Sequence, residues 1–133
     1  MDYIFRLDNY KEICYNSFMK NYLLEYSEQL AVSIANICDS IENERNICFQ
    51  IKKSSSSIYA NIREANYGQS AGDMISKFEI ALKETSETEG WLNILFKSSK
   101  IDEDVFKNHR NLCGRIQRLL ISSIRTLDRK SVV

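Results

Sequence analysis

Few side chains in this sequence could carry chemistry, and their spacing excludes more than it permits. There is one histidine, His109, and there are four cysteines, Cys14, Cys38, Cys48 and Cys113, with no Cys-x-x-Cys pair among them. A carboxylate-bridged two-metal centre in a helical bundle needs Glu-x-x-His on two helices, which a single histidine does not supply. His109, with Cys113 one helical turn later, is at most half a metal site, so it is expected to be a packed, hydrogen-bonded residue. No Gly-x-x-x-x-Gly-Lys loop, Gly-x-Ser-x-Gly elbow or Cys/His dyad spacing occurs, so nothing supports phosphoryl transfer or nucleophilic catalysis. The chain therefore reads as non-enzymatic, with no metal or cofactor, and its cysteines as small buried apolar residues rather than disulfides.

Two polar constellations remain. Lys107, Arg118, Arg125 and Arg129 fall within a narrow arc of one helix, opposite its apolar face, with Arg115 beside them. Arginine forks match phosphate bidentately, and a symmetric oligomer multiplies such a ridge, which would give RNA a cooperative and salt-sensitive footing. The alternative is a solvated face that pairs with the acidic stretch 22–43, which holds four acids and no base. The second constellation is Ser57, Asn61 and Glu64 at i, i+4 and i+7, together with Glu89, which projects into the apolar face of the next helix. An unpaired carboxylate there is costly to desolvate, so Glu89 is expected to have a buried partner or to face another subunit. The group reads either as a small-molecule site between helices or as a hydrogen-bonded network that fixes helix register or oligomer geometry.

The elements that must position these residues are helical. The 133 residues, with 18 basic and 18 acidic side chains, contain no proline and four glycines, which suits one helical core and not a turn-rich β fold. Net charge is zero, so any nucleic-acid affinity must come from a local patch. No stretch approaches the roughly 18 to 20 apolar residues of a membrane span, and Asp2, Arg6 and Asp8 stand where a signal peptide needs apolar residues, which points to a soluble cytoplasmic protein. Periodicity predicts helices over about 23–41 and 46–67, with Gly68 ending the second in the left-handed conformation. Ser70 and Asp73 have capping-box spacing and start a third helix that runs to about Lys97, with Gly90 inside it. Asp102 is the expected N-cap of the fourth, with Glu103 and Asp104 in its first turn. The expected fold is all-α, an antiparallel up-down-up-down four-helix bundle over 22–130, preceded by a short arm or helix over 1–21.

The stretch Ser56-Ser57-Ile58-Tyr59-Ala60-Asn61-Ile62-Arg63-Glu64-Ala65, followed by Gln69-Ser70, Asp73, Ala81-Leu82-Lys83-Glu84, Glu87-Thr88 and Trp91-Leu92, resembles the bacterial four helix bundle protein family. That family includes proteins encoded in intervening sequences of 23S ribosomal RNA genes, once labelled S23 ribosomal proteins, and the accessory variability determinant of diversity-generating retroelements. The resemblance covers about residues 24 to 128. It implies a ring-like homopentamer, and the retroelement member binds its reverse transcriptase and nucleic acid. No catalytic residue is carried over. What it transfers is a structural role for Ser57, Ile58, Asn61, Ile62 and Glu64 in the second helix, and for Leu82, Glu84, Glu87 and Trp91 in the third. Tyr59 departs from the small residue many relatives have there, and Gly90 from their aromatic just before the tryptophan. The retroelement member is strongly basic, whereas this chain is neutral. The expected function is thus an oligomeric accessory to RNA or to a reverse transcriptase, with the basic ridge as its nucleic-acid contact. The alternative is a purely structural homo-oligomer of an rRNA insertion element.

Overall fold

A computed structural model describes residues 22–131, and all of its regular structure there is α-helix. The expected arm over 1–21 lies outside the described residues. Four helices follow one another: α1 is described over 22–40, α2 spans Arg45–Asn66, α3 Ala71–Lys97 and α4 Glu103–Ser131. The linking segments are four or five residues long, too short to cross the bundle, so sequential helices run antiparallel.

Side-chain contacts close the bundle around all four neighbours. Cys38 on α1 meets Cys48 on α2, and Ser54 on α2 meets Thr88 on α3. Phe96 on α3 stacks on Phe106 of α4 with centroids 4.6 Å apart, and His109 on α4 returns to Ser33 on α1. The antiparallel register of α2 and α3 is visible in their pairs: Ser54 faces Thr88, whereas Glu64, further along α2, reaches back to Lys77. The four-helix bundle is the fold that the apolar periodicity implies.

Each helix contributes one stripe to the core. Leu30 and Ile34, Ile51, Ile58 and Ile62, Phe78, Leu92 and Leu95, and Ile116 and Leu120 are all buried. Each fully buried side chain of this kind contributes about 1.5–3 kcal/mol, an upper bound because unfolded chains already hide some surface.

The helix starts are written locally. Ser70 Oγ accepts from the Asp73 amide at 3.1 Å, and Asp102 Oδ1 accepts from the Val105 amide at 2.8 Å. Each satisfies one of the amides that a first turn leaves without a partner. Helix ends differ from expectation at one point. Gly68 does not stop α2 in the left-handed region, since no glycine among the described residues has positive φ. Its role is close approach: a Cβ there would lie 2.8 Å from Met74 Cγ and 3.1 Å from the Ala65 carbonyl oxygen. The left-handed residues are Asn43 (φ 66°) and Ser99 (φ 61°). Ser99 closes α3 in a Schellman arrangement, with the Lys100 amide donating to the Leu95 carbonyl and the Ser99 amide to that of Phe96.

Candidate nucleic-acid interface

The outward face of α4 follows from its inward one. Cys113, Ile116, Leu120, Ser123 and Leu127 recur at three- and four-residue steps and are buried. At about 100° per residue, Lys107, Arg118, Arg125 and Arg129 then lie within about 40° of one another on the opposite side, with Arg115 at the edge of the arc. All five are exposed. From Lys107 to Arg129 the ridge extends about 33 Å at 1.5 Å per residue.

Its members are not equivalent. Lys107 Nζ pairs with Glu103 Oε1 one turn earlier at 3.0 Å, so its charge is partly neutralised on its own helix. Arg118 lies back along the helix over Gly114, its Nη1 3.3 Å from where a Cβ would sit on that glycine. Arg110, outside the arc, sits over the Phe106 ring at 5.2 Å. The ridge is a convex surface and not a cleft. Such a surface suits contact with a charged backbone more than enclosure of a base or a small molecule.

The acidic first helix offers the opposite character. An open groove of about 820 Å³ runs over its outer side, lined by Leu24, Glu25, Glu28, Gln29, Val32 and Ser33 among others. Carboxylates there disfavour phosphate.

His109 is a packed residue. Its Nδ1 donates to the Val105 carbonyl and its Nε2 meets Ser33 Oγ, both at 2.6 Å, so both ring nitrogens are used. Cys113 is fully buried, and burial followed by the nearby Glu89 charge pushes its thiol up to about 12. Neither is presented as a metal ligand, and no cluster of three or more His, Cys, Asp or Glu suited to a metal occurs among the described residues.

The four residues of the second constellation divide into three places. Asn61 Nδ2 donates to the Ser57 carbonyl at 2.8 Å and to Ser57 Oγ at 3.1 Å, closing a local network within α2. Glu64 is exposed and bridges α2 to α3 through Lys77 Nζ at 2.8 Å. Glu89 is half-buried on α3, beside Cys113 of α4, about 18 Å along the helix from Lys77. It thus escapes the full desolvation that its place in the apolar pattern implies, and no single pocket gathers the four. Sequence reasoning missed the cross-helix contacts, among them Ser54 with Thr88 and Cys38 with Cys48. The second leaves a signal in the sequence, since Cys38 and Cys48 stand five residues on either side of Asn43.

The family described as 23S rRNA-intervening sequence protein matches residues 19–122. The chain belongs to that family. A crystal structure of a protein with unknown function from the S23 ribosomal protein family of Bacteroides thetaiotaomicron is 39% identical, with a TM-score of 0.76, over 80% of this chain and 98% of that one. No curated protein matches the chain significantly. The family match takes in α1, α2, α3 and most of α4, but it stops before Arg125 and Arg129. No helix among the described residues is long and apolar enough to cross a membrane.

Proposed function

We propose that this intervening-sequence protein is a non-enzymatic, cytoplasmic homo-oligomer that serves as an accessory to RNA or to a reverse transcriptase and holds nucleic acid through the outer face of α4. One observation carries this reading: Arg118, Arg125 and Arg129 are exposed on the side of α4 directly opposite its core stripe, with Arg115 exposed beside them. Packing does not require arginine there. The family description, which ties relatives to an insertion in 23S rRNA, supports RNA as the nucleic acid.

With zero net charge there is no global field, so binding rests on local contacts and weakens steeply with salt. The test is filter retention of a structured RNA across a potassium chloride series, comparing the parent with a variant in which Arg118, Arg125 and Arg129 are all changed to Gln. If each arginine neutralises one phosphate, the slope of log K against log salt falls by about 2 to 3 in magnitude. Undiminished binding by the triple variant removes the ridge from the proposal. The second reading, a structural homo-oligomer indifferent to RNA, is favoured by large apolar side chains left exposed, Phe49 at 60% and Ile94 at 42%. Light scattering that shows a closed oligomer, with no RNA retained even at low salt, selects it.

A further inference from the structure

Among the described residues, the α1–α2 hairpin holds two thiols, whereas Cys113 lies apart from them on α4. Cys38 lies in the last turn of α1 and Cys48 in the first turn of α2, and Asn43, in the left-handed conformation, reverses the chain between them. Cys38 Sγ lies 3.9 Å from the Cys48 carbonyl oxygen, which brings the two residues together across the turn. Each residue is 7% exposed, and both line an open groove of about 540 Å³ at this end of the bundle, shared with Ile41, Asn43, Phe49 and Lys52. Both cysteines thus border a groove wide enough to admit a small oxidant. Cys113, by contrast, is fully enclosed in the core.

We propose that Cys38 and Cys48 form a redox-sensitive dithiol, converted by a peroxide to an intramolecular disulfide that ties the end of α1 to the start of α2. With hydrogen peroxide, the Cys48 sulfur attacks one peroxide oxygen and the O–O bond breaks. This gives a sulfenic acid on Cys48 and one water. The Cys38 sulfur then displaces hydroxide from that sulfenic acid, forming the S–S bond, and its proton leaves with the hydroxide as a second water. Two thiols are oxidised by two electrons, and one peroxide is reduced. Burial, then the Cys48 neighbour, pushes the Cys38 thiol up to about 12, so its thiolate is scarce near neutral pH and the closing step quickens as pH rises. A link between residues ten apart in sequence restrains the unfolded chain.

The experiment uses the full chain carrying C14S, which leaves three thiols. It is exposed to a small molar excess of hydrogen peroxide and then quenched. Denaturing thiol titration should fall from three free thiols to one, with the intact mass lower by two hydrogens, and a non-reducing digest should yield the peptide pair containing Cys38 and Cys48. The melting temperature should rise by about 5 °C or more and return on reduction with dithiothreitol. The same treatment of C14S/C48S should produce no intramolecular link and no such rise. The proposal is overturned if all three thiols survive, if the recovered link contains Cys113, or if oxidation yields only sulfinic and sulfonic acids or cross-linked dimers. The peptide map of the C14S chain decides the matter even if C14S/C48S does not fold.

Discussion

Among its described residues, α4 buries Cys113, Ile116, Leu120, Leu127 and a single hydroxyl, Ser123, whereas α2 and α3 bury four hydroxyls between them, Ser54, Ser55, Thr85 and Thr88. The two regions hold the same bundle together in different ways. On α4 the attraction is mainly non-directional: beyond the His109–Ser33 bond, an apolar stripe drives the helix inward and leaves its outer face unconstrained by packing. Between α2 and α3 the buried hydroxyls first satisfy themselves within their own helices, Thr85 on the Ala81 carbonyl at 2.7 Å and Ser55 on that of Lys52 at 3.3 Å. One pair then crosses. Thr88 Oγ1 donates to the Glu84 carbonyl at 2.9 Å and Ser54 Oγ to that of Ile51 at 3.2 Å, and the two hydroxyl oxygens meet at 2.8 Å. Small side chains admit close approach, and one directional bond fixes the register. The difference teaches where function has room: on the helix held mainly by its apolar stripe, with His109 tied to Ser33 on its inner side, the exposed positions are free to become arginine.

The largest expected effect breaks the α4 side of this contrast. Leu120→Ala removes a fully buried side chain from the stripe and should cost about 2–5 kcal/mol in urea unfolding, with the slope unchanged. A loss well under 1 kcal/mol would show that α4 is held by something other than its apolar face. The α2–α3 side is tested by Thr88→Val, which keeps the volume but deprives Ser54 of its hydrogen-bonding partner across the helices. It should cost about 1–2 kcal/mol, and adding Ser54→Ala should recover part of that loss, because a pair removed together leaves nothing unsatisfied. If the two losses simply add, the crossing hydrogen bond is not coupled. The smallest effect sharpens the comparison at a site that neither mode uses. Gly90 is exposed within α3 and a Cβ there would meet nothing within 4 Å. Gly90→Ala should therefore stabilise the protein by up to about 1 kcal/mol through helix propensity alone, read as a small rise in melting temperature.

Much of this was legible beforehand. The four helices, the caps at Ser70 and Asp102 and the outward position of the α4 arginines all follow from residue spacing, because a 3.6-residue period and a hydroxyl or carboxylate before an unpaired amide are local properties. The packed state of His109 was legible as well, although its partner Ser33 was not. The polar quartet was legible only as a stripe. Spacing places Ser57, Asn61 and Glu64 along one side of a helix, but Glu64 turns out to Lys77 while Asn61 closes on Ser57, and Glu89 belongs to the α3–α4 side.

Sequence by itself determined the helices, their order, their inner and outer faces and the family, since each is encoded by neighbours within a few turns. Only the tertiary structure decided which residues meet across helices: Ser54 with Thr88, Glu64 with Lys77, Ser33 with His109 and Cys38 with Cys48. It also decided that Gly68 makes way for Met74 while Ser99 takes the left-handed turn. The physical reason is that periodicity fixes the direction in which a side chain leaves its helix, whereas the axial sliding of one helix against the next is set by the packing of the whole core. A shift of one turn, about 5.4 Å, would preserve every apolar stripe and change every one of these partners.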